Sequence, residues 1–221
     1  HCPLRVGGVF VPSIGPADAD VAFVGEAPGR QEAEKGQPFI GPSGRLLQTV
    51  NNAYGIKREE VFLSNATLCR PADGKAPPKL AVSACRGRLV HELTARGTRS
   101  VVALGNTAAL SLLGVDGVTK LRVGPGRKSS LPGLEGVRVI PTVHPAACLR
   151  QSDMFPSLVA DVGKLVAEVE PFVEPEVEVL YDKDQALEFL AYIEKRAGET
   201  VIDIEVDLDK DTVYDHPNFY E

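Results

Sequence analysis

Three polar side chains come at or directly after apolar runs that are typical of buried strands. Glu26 follows the run VAFVG, Asn65 ends the run VFLSN, and His144 follows the run VRVIPTV. Such runs are typical of parallel sheets, and the carboxyl ends of parallel strands meet at one edge, where ligands bind. A carboxylate, a carboxamide and an imidazole at that edge can together bind a polar ligand and move protons. Each of them alone is more often a satisfied turn residue.

An aromatic residue, Phe39, lies thirteen positions after Glu26 on a loop bounded by Gly36 and Gly41. A flat ring that faces an acid favours a pocket for a small planar molecule. The alternative is that the glycines and prolines only shape a long loop and that Phe39 belongs to the core. This stretch alone does not decide between the two.

Strand patterns alternate with helical patterns along most of the chain. Strands are predicted at residues 21–27, 61–66, 100–105 and 137–143, and helices at residues 43–54, 80–96, 106–113 and 155–169. Four such alternations predict an α/β fold in which a parallel, doubly wound sheet carries helices on both faces. The glycine-rich residues 118–136 are predicted to form a hairpin or a long loop.

The length of 221 residues and a hydrophobic content of 43% are enough for one full domain and part of a second. No apolar run is long enough to span a membrane, so we expect no membrane association and a cytoplasmic location. The chain begins with His1 rather than Met, which suggests that its true start is missing. Residues 1–165 carry 20 Lys and Arg against 13 Asp and Glu, whereas residues 166–221 carry 4 against 17. A basic first part fits a phosphate-facing domain, although two domains can also simply differ in surface charge.

Four cysteines are present, and no secretory signal accompanies them. Metal binding or simple burial is therefore favoured over disulfides. Cys69 and Cys85 are sixteen positions apart, and Cys2 lies far upstream. These three thiols could bind a metal ion or an iron–sulfur cluster, but their spacing alone is equally compatible with buried structural cysteines.

Several separated motifs together resemble the family 4 uracil-DNA glycosylases. They are, in order, GEAPG followed by Glu, G-x-PF-x-G-x-x-G-x-LL, N-x-x-x-CRP and HPA. The resemblance runs from Cys2 to about Leu165. It implies a three-layer α/β/α sandwich with a four-stranded parallel sheet, as in the uracil-DNA glycosylase superfamily. It also implies an enzyme of DNA repair that acts on uracil-containing DNA.

The same resemblance implies a [4Fe-4S] cluster held by four cysteines. Cys2, Cys69 and Cys85 match three of them, and the remaining one would lie three residues before Cys2. His1 as a substitute ligand is the less favoured alternative. Cys148 stands where the family usually has an apolar residue, so it is not assigned to the cluster.

The family's site residues carry over onto matching positions. The resemblance implies that Phe39 stacks on a base extruded from DNA and that Asn65 reads the imide edge of uracil. His144 would donate a hydrogen bond to uracil O2 as negative charge collects there. Glu26 would orient or activate water and stabilise a cationic sugar. Glu32 matches a further acidic position and would assist catalysis.

After His144, the loop PAACLR would press on the DNA duplex, with Leu149 and Arg150 filling the vacated stack. This loop is smaller than is usual in the family, and residues 127–130 lack the aromatic residues expected there. The alternative function is therefore a catalytically weak or inactive glycosylase-like module that binds DNA for a polymerase or an exonuclease.

A second domain is predicted after a linker. The glycosylase-like domain is assigned to residues 1–168, a linker rich in proline and glutamate to residues 169–176, and a further α/β domain to residues 177–221. The strand that carries Asp203 and Glu205 looks like the start of an RNase H-like, DnaQ-type 3′–5′ exonuclease. In such enzymes these carboxylates hold Mg²⁺ or Mn²⁺. The fusion suggests a bacteriophage-type polymerase or exonuclease with replication proteins as partners, and no nuclease activity is expected from this incomplete domain.

Overall fold

A five-stranded sheet with helices on both faces forms the centre of the described part of the chain. The computed structural model describes residues 2–4 and 7–167. The strands are β1 (Val9–Phe10), β2 (Val21–Gly25), β3 (Phe62–Asn65), β4 (Cys69–Arg70), β5 (Ser100–Leu104), β6 (Arg127–Lys128) and β7 (Arg138–Thr142). The α-helices are α1 (Arg30–Lys35), α2 (Pro42–Ala53), α3 (Lys79–Ala95), α4 (Asn106–Leu113), α5 (Val118–Leu121), α6 (Pro145–Arg150) and α7 (Phe155–Gly163).

The sheet has the order β3-β2-β5-β7-β6. Its first four strands are parallel to one another, and β6 joins the edge in the antiparallel direction. The predicted four-stranded parallel sheet is therefore confirmed, and the antiparallel edge strand comes from the glycine-rich residues 118–136. β1 and β4 form a separate two-stranded antiparallel sheet. Two-residue strands have too little periodicity to be predicted from sequence.

Alternate residues of the parallel strands pack into two separate cores. On one face, strand residues such as Val24 and Val101 pack with Leu89 of α3 and Leu112 of α4. On the other face, strand residues that include Phe23, Val102 and Ile140 pack with α2, α6 and α7 through Leu47, Val50, Cys148, Leu158 and Val162. Because strand side chains point alternately to opposite faces, a run that is apolar throughout serves both cores. This arrangement confirms the three-layer α/β/α architecture.

The helix boundaries match the sequence pattern to different degrees. The helix at residues 106–113 is as predicted, and those at residues 43–54 and 80–96 are shifted by one residue. The last helix is shorter than predicted, since α7 ends at Gly163. The PAACLR segment, predicted as a loop, is the short helix α6. No helix in the described part of the chain is long and apolar enough to cross a membrane.

One buried carboxylate ties the 118–136 segment to the last helix. Asp161 of α7 is only 1% exposed and accepts hydrogen bonds from Arg122 Nε and Lys164 Nζ, both at 2.7 Å. Lys164 Nζ also donates to the carbonyl oxygen of Arg122 at 2.6 Å. These three charges thus hold the chain that leads into the edge strand β6.

Replacement of Asp161 by alanine should lower the free energy of unfolding by about 3 kcal/mol, because it leaves two half-buried cations without their counter-charge. Urea denaturation followed by circular dichroism measures this. Asp20→Ala is the matched control, since Asp20 pairs with Arg99 at an exposed position where a salt bridge contributes little. Equal losses in the two variants would contradict a special role for the buried charge.

Candidate active site

The four residues singled out at the strand ends and on the aromatic loop line one cavity. Glu26, Phe39, Asn65 and His144 all border a space of about 450 Å³ at the carboxyl edge of the parallel strands. They come from positions that are distant along the chain, and the sheet brings them together. Placement at the carboxyl ends of strands is the usual location of ligand sites in open α/β sheets.

Glu26 is held by a residue that the sequence did not point to. One oxygen of its carboxylate, Oε2, accepts a hydrogen bond from the Thr107 hydroxyl at 2.6 Å. Its backbone carbonyl accepts a hydrogen bond from the amide of Thr67 at 3.1 Å. Within residues 2–4 and 7–167, no donor reaches the other carboxylate oxygen, which can therefore accept a hydrogen bond from water. Thr107 lies in the first turn of α4 after the third parallel strand, and this position was the only signal for it.

The loop that carries Phe39 has an unusual backbone conformation. Phe39 has φ = +54°, a left-handed conformation that is uncommon for residues other than glycine. Two charged groups hold it. Arg58 donates to the carbonyl oxygens of Pro38 at 2.6 Å and Phe39 at 3.2 Å. Glu32 Oε1 accepts from the amides of Ile40 at 3.2 Å and Gly41 at 2.8 Å.

Glu32 is therefore buried and bonded to backbone, although it also borders the cavity. These contacts fix the loop that presents the Phe39 ring. A catalytic role for Glu32 stays a prediction, and its hydrogen bonds favour a positioning role. Sequence reasoning did not identify Arg58, because its partners are backbone carbonyls about twenty residues earlier.

The Asn65 carboxamide meets the Phe39 ring above Gly25. A Cβ atom placed on Gly25 would lie 2.5 Å from Asn65 Oδ1 and 2.9 Å from Phe39 Cζ, so only glycine leaves room for both. Asn65 is 5% exposed, and its carboxamide makes no hydrogen bond to any described residue. A buried amide without a protein partner can hydrogen-bond a ligand instead.

His144 is the residue that precedes the first turn of α6. Its Nδ1 accepts a hydrogen bond from the amide of Ala146 at 3.1 Å, so Nδ1 is unprotonated and Nε2 carries the hydrogen. Burial lowers the pKa of His144, Glu26 raises it, and Arg150 lowers it further. The imidazole is thus a neutral donor at neutral pH.

Leu149 and Arg150 do not line the cavity. Both lie in the last turn of α6 and are exposed, with 52% of Leu149 accessible to solvent. α6 directly follows His144, which lines the cavity, and Arg150 is close enough to lower the pKa of His144. Their predicted contact with a DNA duplex stays a prediction.

Two cysteines, Cys85 and Cys2, lie close enough to Cys69 to affect the pKa of its thiol. Burial raises the pKa of the Cys69 thiol, and Cys85 and Cys2 raise it further through their negative charge. None of the three forms a disulfide, and soft thiolates are the ligands that iron–sulfur clusters use. Within the described residues, however, no three His, Cys, Asp or Glu side chains form a complete metal-binding group. The donor chemistry therefore fits a cluster only in part, and a ligand beyond these three is still required.

Cys148 is buried among apolar side chains of α2 and α7, and its exclusion from the cluster stays a prediction. His1, Asp203 and Glu205 lie outside the described residues, as do the predicted linker and second domain.

The cavity suits a planar heterocycle with polar edges. It presents a flat ring, a carboxamide without a described partner, an imidazole N–H and a free carboxylate oxygen. The ring can stack on the heterocycle and the amide can read its edge. The imidazole can stabilise negative charge, and the carboxylate can accept a proton from water.

Titration of the His144 imidazole should give a pKa below the ordinary value of 6.5. At pH 7 the ¹⁵N chemical shifts of the imidazole should show an unprotonated Nδ1 and a protonated Nε2. The unfolded chain binds a proton at this residue below pH 6.5 and the folded protein resists it, so the free energy of unfolding should fall as the pH decreases from 6.5. His144→Gln should remove this part of the pH dependence. A midpoint at or above 6.5 would contradict the burial argument.

In a comparison with protein families, the family model of the uracil DNA glycosylase superfamily matches residues 12–166 of the chain. The chain is 34% identical over 172 residues to the type-4 uracil-DNA glycosylase of Archaeoglobus fulgidus, covering 73% of this chain and 84% of that protein. It is 38% identical over 154 residues to the type-4 enzyme of Thermotoga maritima, covering 67% and 77% of the two chains. A type-5 uracil-DNA glycosylase of Pyrobaculum aerophilum is 30% identical over 151 residues, which cover 62% of this chain and 65% of that protein. The chain belongs to the uracil-DNA glycosylase superfamily.

Proposed function

We propose that this protein extrudes uracil from DNA and hydrolyses the N-glycosidic bond of that nucleotide. The observation that carries the proposal is the presence of Glu26, Phe39, Asn65 and His144 around one cavity. The type-4 relatives named above support the same activity. A base inside a duplex cannot reach such a cavity, so the nucleotide must leave the stack first.

Phe39 binds the base, and Asn65 selects it. The ring of Phe39 offers its face to any planar base, which provides affinity without specificity. The Asn65 carboxamide donates a hydrogen bond to uracil O4 and accepts one from N3–H. Cytosine presents the reversed pattern and would leave buried polar groups unpaired, which is how sites of this kind reject a close analogue.

His144 and Glu26 act on the two products of bond cleavage. The electron pair of the N1–C1′ bond passes to the uracil ring, where Nε2–H of the neutral His144 donates a hydrogen bond to O2. The oxygen of a water molecule forms the new bond to C1′, and the free carboxylate oxygen of Glu26 takes the proton of that water. The negative charge of Glu26 also stabilises the positive charge that develops on the sugar.

The outer end of α6 is the proposed contact with the DNA stack. Leu149 is an exposed apolar side chain, and Arg150 is the exposed cation that follows it on the helix that begins after His144. An apolar wedge can fill the space that an extruded nucleotide leaves, and a cation can pair with backbone phosphate.

Cys2, Cys69 and Cys85 are the proposed ligands of an iron–sulfur cluster. When bound, the cluster would provide covalent links between the start of the chain, β4 and α3, and no step of the reaction is assigned to it. Protein purified without oxygen should be brown, with broad absorbance near ~400 nm and bound iron. Colourless, iron-free protein from such a preparation would contradict this assignment.

A second part of the proposal is that this domain is fused to a replication protein. Residues 177–221 are the proposed start of a 3′–5′ exonuclease domain, in which Asp203 and Glu205 would hold Mg²⁺ or Mn²⁺. The support is the D-x-E pattern after a strand and helix pattern in the sequence. A longer chain that contains the whole domain should degrade a 3′ end in the presence of Mg²⁺, and Asp203→Asn should abolish this.

Uracil excision is the direct test of the main activity. Oligonucleotides with one uracil are incubated with the protein and treated with alkali, and strand scission reports the abasic product. Glu26→Gln should lower kcat by about 10² to 10³-fold, as expected for loss of a positioned base. Glu60→Gln is the control, because the side chain of Glu60 pairs with the exposed Lys57 and with no other described residue. Absence of scission at stoichiometric wild-type protein that still binds the oligonucleotide would favour the inactive DNA-binding module instead.

Thr107→Val should lower kcat by about tenfold with little change in KM, because it removes the hydroxyl that orients the Glu26 carboxylate. Thr107→Ser keeps the hydroxyl and should retain most of the activity. Steady-state kinetics on the same oligonucleotide measures both variants. Similar kcat values for the valine and serine variants would show that the hydrogen bond does not matter.

A further inference from the structure

Arg88 of α3 contacts the end of the strand that carries Asn65. Its Nη2 donates to the carbonyl oxygens of Asn65 at 2.8 Å and Ala66 at 3.3 Å. Its Nη1 donates to the Ser64 hydroxyl at 2.9 Å and to Glu92 Oε2 at 2.7 Å. One guanidinium thus contacts three consecutive residues at the point where β3 ends.

These backbone contacts matter because no hydrogen bond in the described part of the chain holds the Asn65 side chain itself. The direction of the carboxamide therefore follows from its own backbone and from packing over Gly25. The ladder between β2 and β3 fixes Asn65 opposite Gly25, and the amide of Ala66 donates to the carbonyl oxygen of Gly25 at 2.8 Å. Arg88 binds the carbonyl groups of Asn65 and Ala66.

The charge of Arg88 is balanced where it lies. Glu92, one turn further along α3, forms an ion pair with it, and both side chains are about one quarter exposed. The Ser13 hydroxyl donates to Glu92 at 3.0 Å and lies 2.9 Å from the Ser64 hydroxyl. A closed network of this kind holds the guanidinium in one orientation. A lysine at this position would keep the charge but could not contact several acceptors with a rigid planar group.

We propose that Arg88 is a positioning residue for base selection, which sets the direction of the Asn65 carboxamide by binding the carbonyl groups of Asn65 and Ala66. This inference rests on the proposed function of Asn65. Arg88 does not line the cavity and touches no substrate. Arg88 also lies close enough to Cys69 to lower the pKa of that thiol. An effect of Arg88 on base selection passes through Asn65, which makes it separable from effects on folding or on the cysteines.

The test compares Arg88→Lys with Arg96→Lys. Arg96 directly follows the same helix, donates to a backbone carbonyl at 2.8 Å and packs over the Phe62 ring, but it has no contact with Asn65. For uracil-containing DNA, Arg88→Lys should raise KM by about tenfold and weaken inhibition by free uracil by about tenfold. A change of this size corresponds to the loss of one hydrogen bond to a charged group. The ratio of uracil to cytosine excision should fall as well. Arg96→Lys should change these values by less than about twofold.

A double-mutant cycle and a spectroscopic measurement distinguish positioning from a structural effect. On an Asn65→Ala background, Arg88→Lys should have almost no further effect on uracil affinity, because the group that it positions is gone. The side-chain amide resonances of Asn65 should shift in Arg88→Lys and stay unchanged in Arg96→Lys. Unchanged resonances, unchanged uracil inhibition, or equal losses with and without Asn65 would each overturn the inference. If the wild-type protein neither excises nor binds uracil, the proposed function fails, whereas failure of the Arg88 variant alone to change affinity leaves that function standing.

Discussion

The register of the parallel strands is the constraint on which the site depends. Hydrogen bonding between β2 and β3 sets Gly25 opposite Asn65, and hydrogen bonding between β5 and β7 sets Leu104 opposite Thr142. The strands therefore end at nearly the same level, and the residues that follow them enter a common space. A slip by one residue would move every side chain to the opposite face and would disrupt both cores. The packing of the two cores therefore fixes the strand register, and the register fixes the geometry of the cavity.

Around this level edge, the residues of the site form an inner group that borders the cavity and an outer group that binds backbone and carboxylate groups. The inner group is Glu26, Phe39, Asn65 and His144. The outer group consists of buried or half-buried side chains: Thr107, Arg88, Arg58 and Glu32, of which Glu32 also borders the cavity. Thr107 binds the Glu26 carboxylate, and the other three bind backbone groups around Asn65 and Phe39. Several of the charged residues near the cavity thus have a structural partner in the protein.

Much of the fold and the inner set of residues could be predicted from the sequence. Long apolar runs identify the four parallel strands, and polar residues at their ends identify Glu26, Asn65 and His144. The outer set could not be predicted, because the contacts of Thr107 and Arg88 join positions that only the folded chain brings together. The helix α6 was missed because six residues that begin with proline carry too little periodicity, while its first turn is capped by the His144 imidazole. For Glu32, the sequence predicted an acid of the site but not its hydrogen bonds to the Phe39 loop.

Gly25 lets the Phe39 ring and the Asn65 amide pack directly against main chain, since a Cβ atom there would lie 2.5 Å from Asn65 Oδ1 and 2.9 Å from Phe39 Cζ. Peptide groups in a sheet have no rotamers, so this backing surface does not change with side-chain motion. The ladder hydrogen bonds of β2 with its two neighbours fix its position. A larger side chain at position 25 would displace the ring or the amide, so evolutionary change in the width of the cavity must come from the residues that line it.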